Sequence, residues 1–308
     1  MNIESKKINN FSIAAVIPTK NRHEDLPIFF ESLLKQSVLP NQIIVIDQSS
    51  QNLSEELIKK MVNTFKLSKL TYIYNKNING LVEAKNHSLK YNKSDLICFL
   101  EDDEILEEDF LEQIILGFNS NSSMKGCSGV ITNPPNKNFF YEFFFHLFHI
   151  GFYNDKRVGI YGDEAFKNKL IISDKLSGGL SAWKKEVFSH IFFDLNNNLH
   201  FTEDIDFSSR VFDSFPDSLF INTDARLAHY FSKNNRFNII DRYSKKVLEY
   251  IIFYKKRKKY SFSMIYLVWL LLGIFIESSL KSLLSLSFKP ILGYFHGLFK
   301  GLIYKIVT

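Results

Sequence analysis

Apolar runs and helical repeats alternate through the first hundred residues. Ser12–Pro18 has the pattern of a buried strand ending at a proline. Asp25–Gln36 follows with Leu26, Phe29, Phe30, Leu33 and Leu34 at helical spacing. Gln42–Asp47 (QIIVID) is a second apolar strand, and Ser54–Lys66 predicts a helix with Ser54 as its N-cap. Leu70–Tyr74 reads as strand, Leu81–Lys90 as helix and Asp95–Leu100 (DLICFL) as a fourth strand. Short strands separated by longer helices predict βαβ units and a mostly parallel sheet.

Beyond Asn133–Asn138, a turn-rich break, lies a dense aromatic run at Phe139–Phe152. The pattern then predicts a strand at Lys169–Ser177, helices at Ala182–Ser189 and Asp204–Ser214, and a strand at Ala225–Phe231. The tail differs in kind. Lys255–Lys259 (KKRKK) precedes Phe262–Ile276, an apolar stretch of 15 residues. As helix this spans about 22 Å, short of a hydrocarbon core of about 30 Å. Extending it passes Glu277 and Lys281, an i,i+4 pair. On a helical wheel Ile291, Phe295, Leu298, Phe299 and Leu302 share one face, opposite Lys289, His296 and Lys300 with Gly293 and Gly297. That division suits a helix lying in a membrane interface. The four-residue repeat of Gly293, Gly297 and Gly301 also permits close helix packing.

Charge sharpens the division. The 308 residues carry a net +5, but residues 1–232 are net −6 and residues 233–308 net +11. An acidic body with a basic, apolar tail is not the pattern of a nucleic-acid binder; it points to an anionic membrane surface as partner. The expected domains are 1–232 as the α/β body, 233–261 as a basic linker or helix, and 262–308 as membrane-associating helices. The polar Met1–Asn10 gives no sign of a signal peptide. Removing 255–308 is expected to release the body from membranes without unfolding it. Two cysteines, Cys98 and Cys127, both in apolar runs, exclude a disulfide scaffold.

In a parallel sheet the residues just after each strand gather at one edge, where ligands bind. Thr19 and Arg22 follow the first strand, Asp47 ends the second, and Glu101-Asp102-Asp103-Glu104 follow the fourth. Consecutive carboxylates there repel one another unless they share a cation, and oxygen ligands suit Mg²⁺ or Mn²⁺. The structural alternative, acids at a helix N-terminus, accounts for Glu107, Glu108 and Asp109 better than for 101–104. Lys85 and Asn86 lie on the helix after an NKNING turn and could face a diphosphate or simply be exposed. Thr202, Glu203, Asp204 and Asp206 equally suit a capped helix start, and a lone His229 says little by itself.

Together the segments VIPTKNR (16–22), IIVIDQSS (43–50), NGLVEAKNHSL (79–89), LICFLEDDE (96–104), SGGLSAWKKEVF (177–188), TEDIDFSSRV (202–211) and ARLAHY (225–230) resemble the family-2 glycosyltransferases of GT-A fold. The resemblance covers about residues 11–232. It implies a Rossmann-like, mostly parallel mixed sheet flanked by helices, to which the tail adds its amphipathic helices. It implies inverting transfer of one sugar from a nucleoside-diphosphate sugar, a UDP sugar being favoured, to a glycan or lipid-linked acceptor. Thr19, Arg22, Asp47, Lys85, Asn86 and Asp102 would then contact the donor nucleotide. Glu101, Asp103 and His229 would hold a divalent metal (Mg²⁺ or Mn²⁺). Asp204 would be the general base. Gly178, Gly179, Trp183 and Glu203 would lie on the acceptor side, with Trp183 stacking on a sugar or packing. Lysine stands at 85 where the family often has arginine, Glu101 replaces an aspartate, and the QxxRW signature of processive synthases is missing after residue 204. The implied location is the cytoplasmic face of a membrane, peripheral rather than spanning, with the oligomeric state left open. A sugar-phosphate nucleotidyltransferase and a catalytically silent saccharide-binding protein are the rival readings.

Overall fold

The computed structural model describes residues 11–52, 55–58, 60, 70–134, 143–150, 155–157, 169–197, 199–231, 237–257 and 263–307. Strand β1 (Ile13–Thr19) is apolar at almost every position and buried throughout, as the centre of a sheet covered on both faces requires. It pairs in parallel with β2 (Gln42–Asp47) and with β4 (Leu96–Leu100), and β2 pairs in parallel with β3 (Leu70–Tyr74). Helix α1 (Leu26–Leu34) joins the first two strands, and α2 (Leu81–Ser88) joins the third and fourth. Gly80, at φ +93°, turns the chain into α2 in a conformation that disfavours side-chained residues. Residues 55–58 and 60 are helical, and the rest of the helix expected over 54–66 lies outside the described residues.

The second half adds β5 (Glu104–Leu106), α3 (Phe110–Ser120), β6 (Gly126–Ile131), β7 (Leu170–Ile172), β8 (Leu180–Lys184), α4 (Glu203–Ser214) and β9 (Leu219–His229). The strand order is β3-β2-β1-β4-β8-β6-β9-β5, with β7 against β9. Strand β8 runs antiparallel to both β4 and β6, so the sheet is mixed. Here three expectations need correction. Ala182–Ser189 is not an α-helix: Leu180–Lys184 is strand, followed by a short 3-10 turn over Lys185–Ser189. Ladder bonds to neighbours on both sides outweigh the helix preference of Ala-Trp-Lys-Lys-Glu. The strand expected over Lys169–Ser177 is only Leu170–Ile172, while the one expected from Ala225 begins at Leu219.

Three further helices follow: α5 (Ile239–Lys256), α6 (Ser263–Leu284) and α7 (Lys289–Ile303). One apolar cluster fills the α1–α3 side of the sheet, a second the α2–α4 side, and a third joins Ile205 of α4 to α5, α6 and α7. Residues 239–257 are therefore no mere linker. The glycine repeat of α7 faces α5, where a Cβ on Gly297 would stand 2.3 Å from the Ser244 carbonyl oxygen and one on Gly301 2.3 Å from Ile251 Cδ1. The opposite face leaves Leu292, Phe295, Phe299, Leu302 and Ile303 exposed. Over Met264–Leu284, α6 is long and apolar enough to cross a membrane by length and composition.

The basic run before α6 is largely engaged within the molecule. Lys255 Nζ caps α7 by donating to the carbonyls of Gly301, Leu302 and Tyr304. Lys256 pairs with Asp194 and Asp206, both at 2.5 Å, and Arg257 with Asp213 at 3.2 Å. Lys258 and Lys259 lie outside the described residues.

Candidate active site

Parallel pairing of β1, β2 and β4 brings their carboxyl ends to one edge. Gln48 N–H bonds the Thr19 carbonyl, and Gly80 N–H bonds the Gln48 side chain, so the loops after β1 and β2 and the start of α2 lock together. Asp47 is fully buried and accepts from Ser49 N–H and from the Tyr72 hydroxyl, each at 2.8 Å. Asp102 is also buried. It accepts from Thr19 Oγ1 at 2.5 Å and pairs with Arg22 at 2.7 Å. Burial pushes the Asp102 carboxyl up to about 6, even against the pull of Arg22. Thr19, Arg22, Asp47 and Asp102 thus form a connected base to the cleft.

The acidic run after β4 meets the end of β9 because β5 and β9 pair antiparallel, Glu104 opposite His229. His229 Nε2 lies 3.1 Å from Asp103 Oδ1 and 3.3 Å from Glu101 Oε2. Burial opposes a charge on the imidazole, but hydrogen bonds to Asp103 and Glu101 raise it to about 10. Ligand atoms of Glu101, Asp103 and His229 all fall within 4.8 Å of one another. Glu104, the last of the acidic run and not among the expected metal ligands, is buried behind them. One of its oxygens accepts from Glu101 N–H, the other has no partner among the described residues, and burial drives its carboxyl well above the ordinary range. Two carboxylates and an imidazole form a donor set that fits Mg²⁺ or Mn²⁺.

Across the cleft, Lys85 is buried, with Nζ 3.1 Å from both Glu203 Oε1 and the Gly178 carbonyl and within 5.0 Å of the Phe193 ring centroid. Burial raises the Glu203 carboxyl toward neutrality, while Lys85 pulls it back down. Asn86 spends its side-chain amide on Phe193, donating to its carbonyl and accepting from its N–H. Lys85 and Asn86 therefore fasten α2 to the second half of the chain. Trp183 does not reach the cleft: it is 2% exposed, bonds Ser181 Oγ, and packs edge-on against Phe207. Its strand position points it into the core between β8 and α4.

Gly178 and Gly179 lie where side chains from both sides come close. A Cβ on Gly179 would lie 2.6 Å from Glu101 Cγ, and one on Gly178 2.7 Å from Glu203 Oε1 and 3.1 Å from Asp204 Cβ. One glycine pair therefore separates the candidate metal ligand Glu101 from Asp204. Asp204 accepts from Ile205 N–H at 2.7 Å and pairs with Arg157 at 2.6 Å. Arg157 is held in turn by Asp155 and the Leu176 carbonyl. Neither Asp155 nor Arg157 carries a periodic or motif signal; both fall where the sequence pattern is least regular.

A third support comes from α5. Buried Glu249 accepts the backbone N–H groups of His200, Phe201 and Thr202 through one oxygen, fixing the chain that enters α4. Burial outweighs these donors and raises its carboxyl to about 7. Sequence alone gives Glu249 only as one acid within a basic helix.

Solved structures share this architecture. A mannosyltransferase from Pyrobaculum calidifontis, solved with GDP-Man and Mn²⁺, aligns over 96% of this chain and 88% of its own at a TM-score of 0.64 and 12% identity. S. aureus TarS (residues 1–349) aligns over 88% of this chain and 74% of its own, with a TM-score of 0.58 and 13% identity. Both likenesses show a GT-A fold. An uncharacterized glycosyltransferase of Haemophilus influenzae is 26% identical over 197 residues, 63% of this chain. The match spans 60% of that relative's length. The model of glycosyl transferase family 2 matches residues 14–191, more than half of the sequence. The chain belongs to glycosyl transferase family 2.

Proposed function

We propose that the protein transfers one glycosyl unit from a nucleoside-diphosphate sugar to a hydroxyl of a glycan or lipid-linked saccharide, inverting the anomeric carbon. The observation carrying this reading is the glycine pair at 178–179, which sets an acidic-histidine cluster on one side and a single carboxylate, Asp204, on the other. A divalent metal held by Glu101, Asp103 and His229 would act as a Lewis acid on the departing diphosphate. Arg22, between Asp102 and Asp103, adds a fixed cation on that side. Asp204 takes the proton from the acceptor hydroxyl as that oxygen attacks. Arg157 and Ile205 N–H each engage one of its oxygens, and each oxygen keeps a further lone pair for that proton. Lys85 and Glu203 hold the two sides at fixed separation.

The same reading puts α6 and α7 in the plane of a membrane surface. Glu277 of α6 is tied to α5 by Lys246 at 2.9 Å and the Tyr243 hydroxyl at 3.2 Å. Trp269 stacks on Phe148 and donates to the Leu147 carbonyl. A transverse helix would sacrifice these bonds. Because Lys255, Lys256 and Arg257 are occupied internally, attraction to anionic lipid rests, among the described residues of the tail, on exposed Lys281, Lys289, His296, Lys300 and Lys305.

Nucleotide release from UDP- and GDP-sugars, measured with Mn²⁺ or Mg²⁺, tests the chemistry. Asp204→Asn should lower turnover by about 10²–10⁴-fold with donor affinity preserved. Equal turnover in wild type and variant refutes the assignment of the base.

A further inference from the structure

Just before α4 the chain presents a group of rings that the transfer chemistry leaves unused. The rings of His200 and Phe201 meet edge to face at 5.1 Å, and His200 meets Phe237 in the same way at 4.8 Å. Phe201 and Phe237 lie 5.8 Å apart, centroid to centroid. Lys245 Nζ stands 4.7 Å over the Phe237 ring. Phe201 is 37% exposed and His200 also keeps surface open to solvent. Three elements supply these residues: the approach to α4, the approach to α5, and α5 itself.

Two relations tie the group to the cleft. Phe201 precedes Asp204 by three residues, on the chain just outside the first turn of α4. Glu249 accepts the backbone N–H groups of His200, Phe201 and Thr202, which fixes these rings on the chain that runs straight into the turn carrying Glu203 and Asp204. The His200 imidazole brings two ring nitrogens to the edge of the group, where a ligand's hydroxyls can meet them.

We propose that His200, Phe201 and Phe237, with Lys245 at their edge, form the subsite that receives a pyranose ring of the acceptor. This rests on the transferase reading above and names its acceptor as a saccharide at the point of attack. The chemistry of the group matches such a ring. Aromatic faces cover the apolar C–H face of a pyranose, while the imidazole nitrogens and the ammonium meet its equatorial hydroxyls. A hydrocarbon occupant would desolvate Lys245 and His200 without compensation. The outward face of α7 (Leu292, Phe295, Phe299, Leu302 and Ile303) has the aliphatic and aromatic character that a lipid surface needs. The Glu249 hydrogen bonds to the backbone of residues 200–202 keep the platform in place before a ligand arrives.

The test uses the full chain and octyl β-glucoside, octyl β-galactoside and octyl β-N-acetylglucosaminide below their micellar concentrations as probes. Saturation-transfer NMR reads contact with the pyranose C–H protons, and titration reads affinity. At least one glycoside should bind wild type with its ring protons saturated. Phe201→Ala and Phe237→Ala should each weaken it tenfold or more, and Phe201→Tyr should restore it. Binding of the donor nucleotide with Mn²⁺ and hydrolysis of the donor by water should change less than twofold in these variants. Wild-type binding no tighter than that of Phe201→Ala/Phe237→Ala overturns the subsite, as does contact confined to the octyl chain. So does a loss of vesicle binding in place of saccharide binding. If wild type neither binds nor hydrolyses any nucleotide sugar, the transferase reading fails; if it does so while saccharide binding ignores the substitutions, the subsite alone fails.

Discussion

The Lys85–Glu203 pair is where single side chains carry most. Both groups are buried, so neither charge has water to fall back on when its partner is removed. Lys85→Met should destabilise the fold by about 3–5 kcal/mol, and the added change Glu203→Gln should recover part of that loss. Chemical denaturation of the two variants checks this; a double variant no more stable than the single one would show that the charges are not coupled. Gly179 makes a complementary prediction. Its Cβ would collide with Glu101 Cγ, so Gly179→Ala should move Glu101 and weaken Mn²⁺ binding by about 10–100-fold, the scale seen when a metal ligand's support is disturbed. Spectroscopic titration with Mn²⁺ reads that change directly, and unaltered affinity would remove Glu101 from the ligand set.

Helix α4 shows what a sequence pattern carries and where it stops. Thr202 and the acids of its first turn are legible because helix starts favour them. The carboxylates at 101–104 are legible for a similar reason: they follow an apolar strand that ends at a ligand-binding edge. Glu249 has no such signal, because its value comes from three backbone N–H groups brought to it by tertiary packing. Arg157 is hidden for the same reason, and β8 was disguised because its helix-favouring residues are held by two neighbouring strands. Glu249 yields a pH prediction. Its carboxyl stands at about 7 in the fold, above the usual 4.5, so the native state keeps a proton that the unfolded chain releases. The resulting stability is whole below about pH 4.5 and declines as pH rises to about 7, by up to about 3 kcal/mol. Glu249→Gln removes this titration, so its stability should vary less over that interval. Parallel slopes for wild type and variant in thermal melts at several pH values would contradict it.

At the scale of the whole molecule, the tail is structural support for the body as well as the proposed membrane surface. Tyr243, Val247, Ile251 and Tyr254 of α5 are buried in the cluster that α6 and α7 complete, and Ile205 of α4 joins the same cluster. Lys256 ties α5 to Asp206, two residues past the candidate base. Cutting away 255–308 is therefore expected to uncover α5, remove Lys256 and loosen the start of α4, so the body should lose stability in place of the clean release that the charge division suggests. A gentler change separates the two roles. Phe295, Phe299 and Leu302 project from α7 with 51%, 63% and 67% of their surface exposed, away from the glycine edge that packs on α5. Replacing all three with serine should leave thermal stability within a few degrees of wild type. If each side chain contributes about 1 kcal/mol on entering a lipid interface, the triple variant should bind anionic vesicles about 100-fold more weakly. Co-sedimentation with vesicles of phosphatidylglycerol and phosphatidylethanolamine measures this. A transverse α6 would hold the protein in the bilayer whatever α7 presented, so vesicle binding unchanged by the three serines would rule out in-plane docking, whereas its loss from a folded protein places the cleft at the lipid surface.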